Sequence, residues 1–170
     1  MKHLYFMRHG LSEMNALGIY SGGSETALTK KGEKQCHEAG KKLSKLNIDL
    51  IICSPSIRTL KSAEIVAAEI GYPKDKIVQN DLFIERDFGP LEGTDYNRKQ
   101  QLDNIEGVEH SGSVIGRAAS GLELIKSLDA NNILIVSHGA VGRALRYLSN
   151  PKLDYYKIKS LDNAEVVELF

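Results

Sequence analysis

Three short segments of the 170-residue chain combine side chains that bind oxyanions with side chains that transfer groups. They are Arg8-His9-Gly10, Ser54-Pro55 with Arg58 close behind, and Ser137-His138-Gly139. An imidazole can act as a nucleophile or carry a proton near neutral pH. A guanidinium presents a planar fork of donors that matches the oxygens of an oxyanion. Two imidazoles and two guanidiniums in one pocket suit an anion with several oxygens, and phosphate is the obvious one. Each segment alone is weak evidence, because a lone strand-end histidine is more often structural and Arg-His-Gly occurs near chance level. Their repetition is what carries the reading. Gly10 and Gly139 are expected to be small so that backbone can approach a ligand closely.

The surrounding pattern explains how these segments could meet. Residues 2–7 read as a strand, and residues 29–46 as a helix with Thr29 as its cap. The apolar run 49–53 reads as a strand, followed by a helix over 55–70 that Gly71 closes. Residues 77–79 form a short strand at most, and residues 80–112 are polar, glycine-punctuated and irregular, with at most a short helix. A helix over 113–128, a strand over 132–136, a helix over 139–148 and a half-buried edge strand over 164–169 complete the chain. Strands this apolar are buried on both faces, and helices separate them. The expected fold is therefore α/β: a three-layer α/β/α sandwich, mostly parallel, with helices on both faces of the sheet. In such sheets ligands bind beyond the carboxyl ends of the strands, where all three segments fall. No repeat, low-complexity tract or long linker divides the chain, so residues 1–170 read as one domain.

Composition excludes several functions. Lys plus Arg and Asp plus Glu both number 22, so the net charge is zero, which argues against nucleic-acid or membrane-surface binding. Cys36 and Cys53 lack metal-ligand spacing, which leaves no disulfide framework or cysteine-rich zinc site. The opening apolar run is too short for a signal sequence or a membrane span. The expected location is cytoplasmic. Oligomeric state stays open: the terminal AEVVELF could pair with a partner as an exposed edge or be covered.

The quoted segments resemble the histidine phosphatase superfamily, also called phosphoglycerate mutase-like. Arg8-His9-Gly10-Leu11-Ser12-Glu13-Met14-Asn15 is similar to the family's Arg-His-Gly-x-Thr/Ser-x-x-Asn signature. Residues 22–29, GGSETALT, resemble its Gly-x-x-Asp-x-Pro-Leu-Thr stretch. Ser54-Pro55-Ser56-Ile57-Arg58 resembles Ser-Pro-x-x-Arg, and residues 85–93, ERDFGPLEG, its glutamate and Phe/Tyr-Gly-x-x-Glu-Gly segment. Val136-Ser137-His138-Gly139 resembles the second-histidine motif, and Asn163-Ala164 the start of the last strand. The likeness runs along nearly the whole chain, in the family's order.

The resemblance implies a role for each matched residue. His9 would be the nucleophile that forms a phosphohistidine. Arg8, Arg58 and His138 would hold the phosphoryl oxygens and balance developing charge. Asn15 would add a neutral hydrogen bond. Ser12, Ser21 and Gly22 would border the pocket or touch the substrate, beside Gly139. Glu85 would protonate the leaving oxygen and then activate water. No metal or other cofactor is implied, because the arginines supply the charge, and the expected partner is a small phosphorylated substrate. Glu92 is expected to be structural, and Arg86 and Arg143 solvated or ion-paired. His3, His37 and His110 are expected to take no part in catalysis.

The chain also departs from the family pattern. Leu11 stands where many members have Glu or Gln, and Glu25 and Ala27 replace the usual Asp and Pro. The segment 94–113 is short compared with cofactor-dependent mutases. A more open pocket admits water to the phosphohistidine and favours hydrolysis. The expected function is a metal-independent phosphomonoesterase. The alternatives are a cofactor-dependent phosphoglycerate mutase, a phosphohistidine protein phosphatase, and a catalytically silent phospholigand-binding module.

Overall fold

A computed structural model describes residues 2–97 and 99–170 of the chain. Strand β1 (His3–Arg8) leads into a short helix, α1 (Glu13–Ala16), which the sequence pattern does not announce. Helix α2 (Lys30–Leu43) starts where predicted, with the Thr29 hydroxyl accepting the Gly32 N–H. It ends three residues before the predicted 46, through a tight turn and Asn47 in the left-handed region (φ 47). After β2 (Leu50–Cys53), helix α3 (Ile57–Ile70) begins two residues later than predicted, because Ser56 is still extended and serves as the N-cap. Gly71 ends α3 at φ 72.

Strand β3 (Val78–Gln79) is brief. Beyond it the predicted irregular segment contains three 3-10 turns, at residues 81–83, 89–91 and 102–104. Helix α4 (Ser111–Ser127) starts two residues before the predicted 113, because the Nδ1 of His110 accepts the Gly112 N–H at 3.1 Å and caps it. Strand β4 (Asn132–Ser137), helix α5 (Gly139–Ser149) and strand β5 (Val166–Glu168) follow.

The strands form one sheet in the order β3-β2-β4-β1-β5. β3, β2, β4 and β1 run parallel, and β5 pairs antiparallel with β1 at the edge. Alternation along the strands divides the core. Leu4, Phe6, Ile133 and Ile135 face one layer, made by Val114, Ala118, Leu122, Val141 and Leu145 of α4 and α5. Tyr5, Met7, Leu134 and Val136 face the other, made by Cys36, Ala39 and Leu43 of α2 with Ala63 and Val66 of α3. The arrangement is the expected three-layer sandwich.

Register decides what lies at the carboxyl edge. Arg8 pairs with Ser137, and Cys53 with Val136. The ladder continues one step further: the His9 N–H donates to the Ser137 carbonyl at 2.9 Å, and the Ser54 N–H to Val136 at 3.1 Å. The next residues, His9, Ser54 and His138, therefore leave the sheet at one level.

Candidate active site

His9 and His138 meet edge to face, with ring centroids 5.3 Å apart and planes at 68°. Both are buried, at 3% and 1% exposure. The Nδ1 of His9 lies 2.7 Å from the Gly10 carbonyl. A carbonyl only accepts, so this contact places the ring proton on Nδ1 and leaves the Nε2 lone pair unshared. Burial, together with the Arg58 and Arg8 charges, holds the His9 imidazole well below the usual histidine range. Burial and Arg58 do the same to His138, with His9 and Arg8 adding to the effect. Both rings are thereby biased toward the neutral form that a nitrogen nucleophile requires.

The two arginines approach from β1 and from the first turn of α3. Arg58 is 1% exposed, although it carries a full charge. Its guanidinium donates to the carbonyls of Ser21, Gly22 and Ser24, so it also shapes the loop that borders the pocket. Arg8 donates from Nη1 to the Leu161 carbonyl, and its buried Nε has no partner among the described residues. An unpartnered buried N–H beside two neutral imidazoles is a donor set suited to an oxyanion.

Glu85 comes from irregular backbone between two 3-10 turns. Its carboxyl accepts the N–H of Arg86 at 2.9 Å and, from Oε1, that of Ala140 in the first turn of α5 at 3.2 Å. Burial raises its pKa above the ordinary 4.5, against the pull of Arg58, Arg8 and these two N–H groups. It is thus biased to keep a proton that an ordinary surface glutamate loses. With Gly22, Gly23, Glu25, Ser54 and His138, Glu85 lines a cleft of ≈ 310 Å³. A separate hollow of ≈ 220 Å³ at the other edge of the sheet is walled by Leu4, Leu122, Ile125 and Phe170 and holds none of these groups. Among the described residues, no group of three or more His, Cys, Asp or Glu side chains could hold a metal ion. Likewise, no described helix is long and apolar enough to cross a membrane.

The other predicted site residues divide by position. The Oδ1 of Asn15 accepts from the Asn163 amide at 3.3 Å, and Asn163 also donates to the His9 carbonyl at 3.1 Å. This leaves the Asn15 NH₂ free to donate. Gly22 is at the cleft, and the Ser21 carbonyl accepts from Arg58. Ser12 is fully buried; its hydroxyl accepts the Asn15 N–H and caps α1 instead of bordering the cleft. Gly10 is small for a different reason than expected: a Cβ there would lie 2.5 Å from the Gly32 carbonyl of α2. At Gly139 a Cβ would crowd the Ser160 hydroxyl at 3.2 Å and lie at ordinary contact distance, 3.7 Å, from the Arg8 guanidinium carbon. Glu92 is structural as expected, its Oε1 accepting the N–H groups of Gly22 and Ser24.

Sequence reasoning missed the groups that hold the Glu85 segment. Arg117 of α4 donates to the carbonyls of Leu82 and Ile84 and pairs with Glu109. Arg86, expected to be solvated or ion-paired, is buried and paired with Asp103 at 2.5 Å. No motif marks Arg117, and half of the hydrogen bonds that these two arginines make go to backbone carbonyls, which any sequence supplies.

The uncharacterized phosphatase PhoE of Bacillus subtilis is 32% identical over 149 residues, covering 85% of this chain and 76% of that protein. A probable phosphoglycerate mutase, GpmB of Erwinia tasmaniensis, is 32% identical over 160 residues, covering 82% and 70%. The solved structure of Bacillus stearothermophilus YhfR superposes with a TM-score of 0.85 at 24% identity, covering 99% of this chain and 90% of that one, which shows the shared fold. Residues 4–169 match the histidine phosphatase superfamily (branch 1), and the chain belongs to that superfamily.

Proposed function

We propose that the chain is a metal-independent phosphomonoester hydrolase that acts through a phosphohistidine on a small phosphorylated metabolite. The observation that carries this reading is the His9–Gly10 contact, which commits the Nδ1 proton and leaves Nε2 as the ring nitrogen free to attack phosphorus, with Glu85 biased by burial toward keeping its proton. In the first step the Nε2 of His9 attacks phosphorus, the bond from phosphorus to the ester oxygen breaks, and Glu85 gives its proton to the departing alkoxide. In the second, water attacks the phosphohistidine, Glu85 takes a proton from it, and the N–P bond breaks to release inorganic phosphate. Arg8, Arg58, His138 and the amide of Asn15 hold the phosphoryl oxygens throughout. No step needs a metal ion.

The cleft also bears on the substrate. Its lining includes the carboxylates of Glu25 and Asp87, while the basic groups of the site, Arg8 and Arg58, are engaged with the phosphoryl group. A second anionic group on the substrate, such as the carboxylate of a phosphoglycerate, meets like charge there. That favours hydrolysis of a neutral or hydroxylated ester over the mutase reading, which the relative GpmB supports.

Phosphate release with a chelator present is the test. It uses para-nitrophenyl phosphate, glycerol phosphate and 3-phosphoglycerate with wild type and His9→Ala. Chelator-resistant release that His9→Ala abolishes, with glycerol phosphate preferred to 3-phosphoglycerate, is expected. Isomerisation of 3-phosphoglycerate without release makes the protein a mutase. Release that survives in His9→Ala removes the phosphohistidine.

A further inference from the structure

Glu85 does the most geometrically demanding work in the proposed reaction, yet it sits on backbone that belongs to no helix or strand. What holds that backbone is a set of charges from elsewhere in the chain. The guanidinium of Arg117 donates to the Ile84 carbonyl at 2.9 Å and to Leu82 at 3.3 Å, just before Glu85. Its other edge grips Glu109 in a two-pronged pair, Nε to Oε1 at 3.0 Å and Nη2 to Oε2 at 2.9 Å. Glu109 then reaches the other side of Glu85. Its Oε2 accepts the Asp87 N–H at 3.0 Å, and its own N–H donates to the Asp87 carbonyl at 2.8 Å. One ion pair therefore holds the chain on both flanks of Glu85.

A second pair reinforces the first. Arg86 donates from Nε to the Glu109 carbonyl at 2.7 Å and from Nη2 to Asp103. Asp103 also accepts from the Ser111 N–H, the Ser111 hydroxyl and the Tyr156 hydroxyl. Neither pair is a loose surface contact: the side chains of Arg117 and Glu109 are 22% and 17% exposed, and those of Arg86 and Asp103 6% and 15%. Neither Arg117 nor Glu109 is among the residues that line the cleft.

We propose that the Arg117–Glu109 pair is a positioning device for the catalytic acid, holding the Glu85 carboxyl where it can reach the leaving oxygen. The proposal rests on the reading of Glu85 as the proton donor. Among the described residues no hydrogen bond joins the pair to Arg8, Arg58 or the two histidines, which hold the phosphoryl group, and Arg117 acts on His138 only through its charge. Loss of the pair is therefore felt by substrates that need a proton on the leaving group. Activated aryl esters, whose leaving oxygen departs without one, are much less affected.

The experiment compares an alkyl ester, glycerol phosphate, with para-nitrophenyl phosphate in wild type, Glu85→Gln, Arg117→Ala, Arg117→Lys and Glu109→Gln. In wild type both esters are hydrolysed. Glu85→Gln is expected to slow the alkyl ester by about 100-fold or more, and the aryl ester far less. Arg117→Ala and Glu109→Gln are expected to lower kcat for the alkyl ester by about tenfold, with KM little moved and the aryl ester within about threefold. Arg117→Lys keeps the charge but not the fork, and is expected to fall with Arg117→Ala. Should Arg117→Ala fail to fold, Glu109→Gln carries the same comparison without deleting the larger side chain. Equal slowing of both esters, or a change confined to KM, overturns the positioning role while leaving Glu85 as the acid. Equal slowing of both esters by Glu85→Gln instead overturns the reading of Glu85 itself.

Discussion

The Nε2 of His138 lies 2.8 Å from the Ser54 hydroxyl, while its Nδ1 is buried without a partner among the described residues. Whichever nitrogen holds the proton, a neutral ring in this position leaves one polar atom unsatisfied, which costs about 1–3 kcal/mol. The unpaired Nε of Arg8 belongs to the same site. A bound phosphate supplies acceptors to the Arg8 Nε–H, and to the His138 Nδ1 in the tautomer that carries its proton there, so inorganic phosphate is expected to stabilise the protein. At a hundred times its Kd the gain is about 2.7 kcal/mol, or a rise in Tm of about 5–10 °C for a chain of this size. Thermal melts with and without phosphate check this, and His138→Ala is expected to lose most of the rise. A wild-type melt that phosphate leaves in place removes the oxyanion site.

The commitment of the His9 Nδ1 proton to Gly10 has its own consequence. Attack by Nε2 leaves the protein phosphorylated on nitrogen between the two steps. Rapid quenching during turnover is expected to trap one phosphoryl group per chain, in a linkage that acid destroys and alkali preserves. His9→Ala is expected to trap none and to turn over about 10⁴-fold more slowly or worse. An acid-stable adduct would place the phosphoryl group on a hydroxyl and sink the histidine mechanism.

Glu85 should trade stability for its role. Burial raises its pKa in the folded chain, so folding must keep or recover a proton that the unfolded chain has lost above its ordinary 4.5. The native state is therefore disfavoured by this group above pH 4.5, and the penalty vanishes as pH falls below that value. Glu85→Gln removes the ionisation. It is expected to raise Tm relative to wild type at pH 7 and to lose that advantage near pH 4, while slowing alkyl esters. Paired melts at the two pH values test the sign. A variant that is less stable than wild type at pH 7 shows that the carboxylate is stabilised in place.

The parts of this site differ in how far the sequence discloses them. The runs LIIC and NILIVS are apolar enough to be read as buried parallel strands, and one rule about strand ends then brings His9, Ser54 and His138 together. Glu85 has no such signal, since its backbone is irregular; only the family resemblance singles it out. Arg117 is less visible still, because its fork spans 33 and 35 residues to carbonyls that any sequence would supply. Helix α4 begins early because a histidine, not one of the usual hydroxyl or carboxamide residues, caps it. Gly10 could be read as small, but not why: the crowding comes from Gly32 in α2, which only the packed structure brings near.

Arg58 holds the loop beside the cleft, and this makes it a poor candidate for exchange with lysine. Its fork donates to three carbonyls, of Ser21, Gly22 and Ser24, and Glu92 accepts the N–H groups of Gly22 and Ser24 from the other side. An ammonium carries the charge but cannot span that set. Arg58→Lys is expected to raise KM for every phosphate ester and to destabilise the fold, since buried carbonyls and the nearby carboxylates lose their partner. The destabilisation should reach about 3 kcal/mol in Arg58→Ala, where a buried charge network loses its cation outright. Limited proteolysis is expected to find new cleavage within residues 21–25 in both variants. A lysine variant with wild-type KM and an uncut loop would show that charge alone, without the fork, is sufficient at this position.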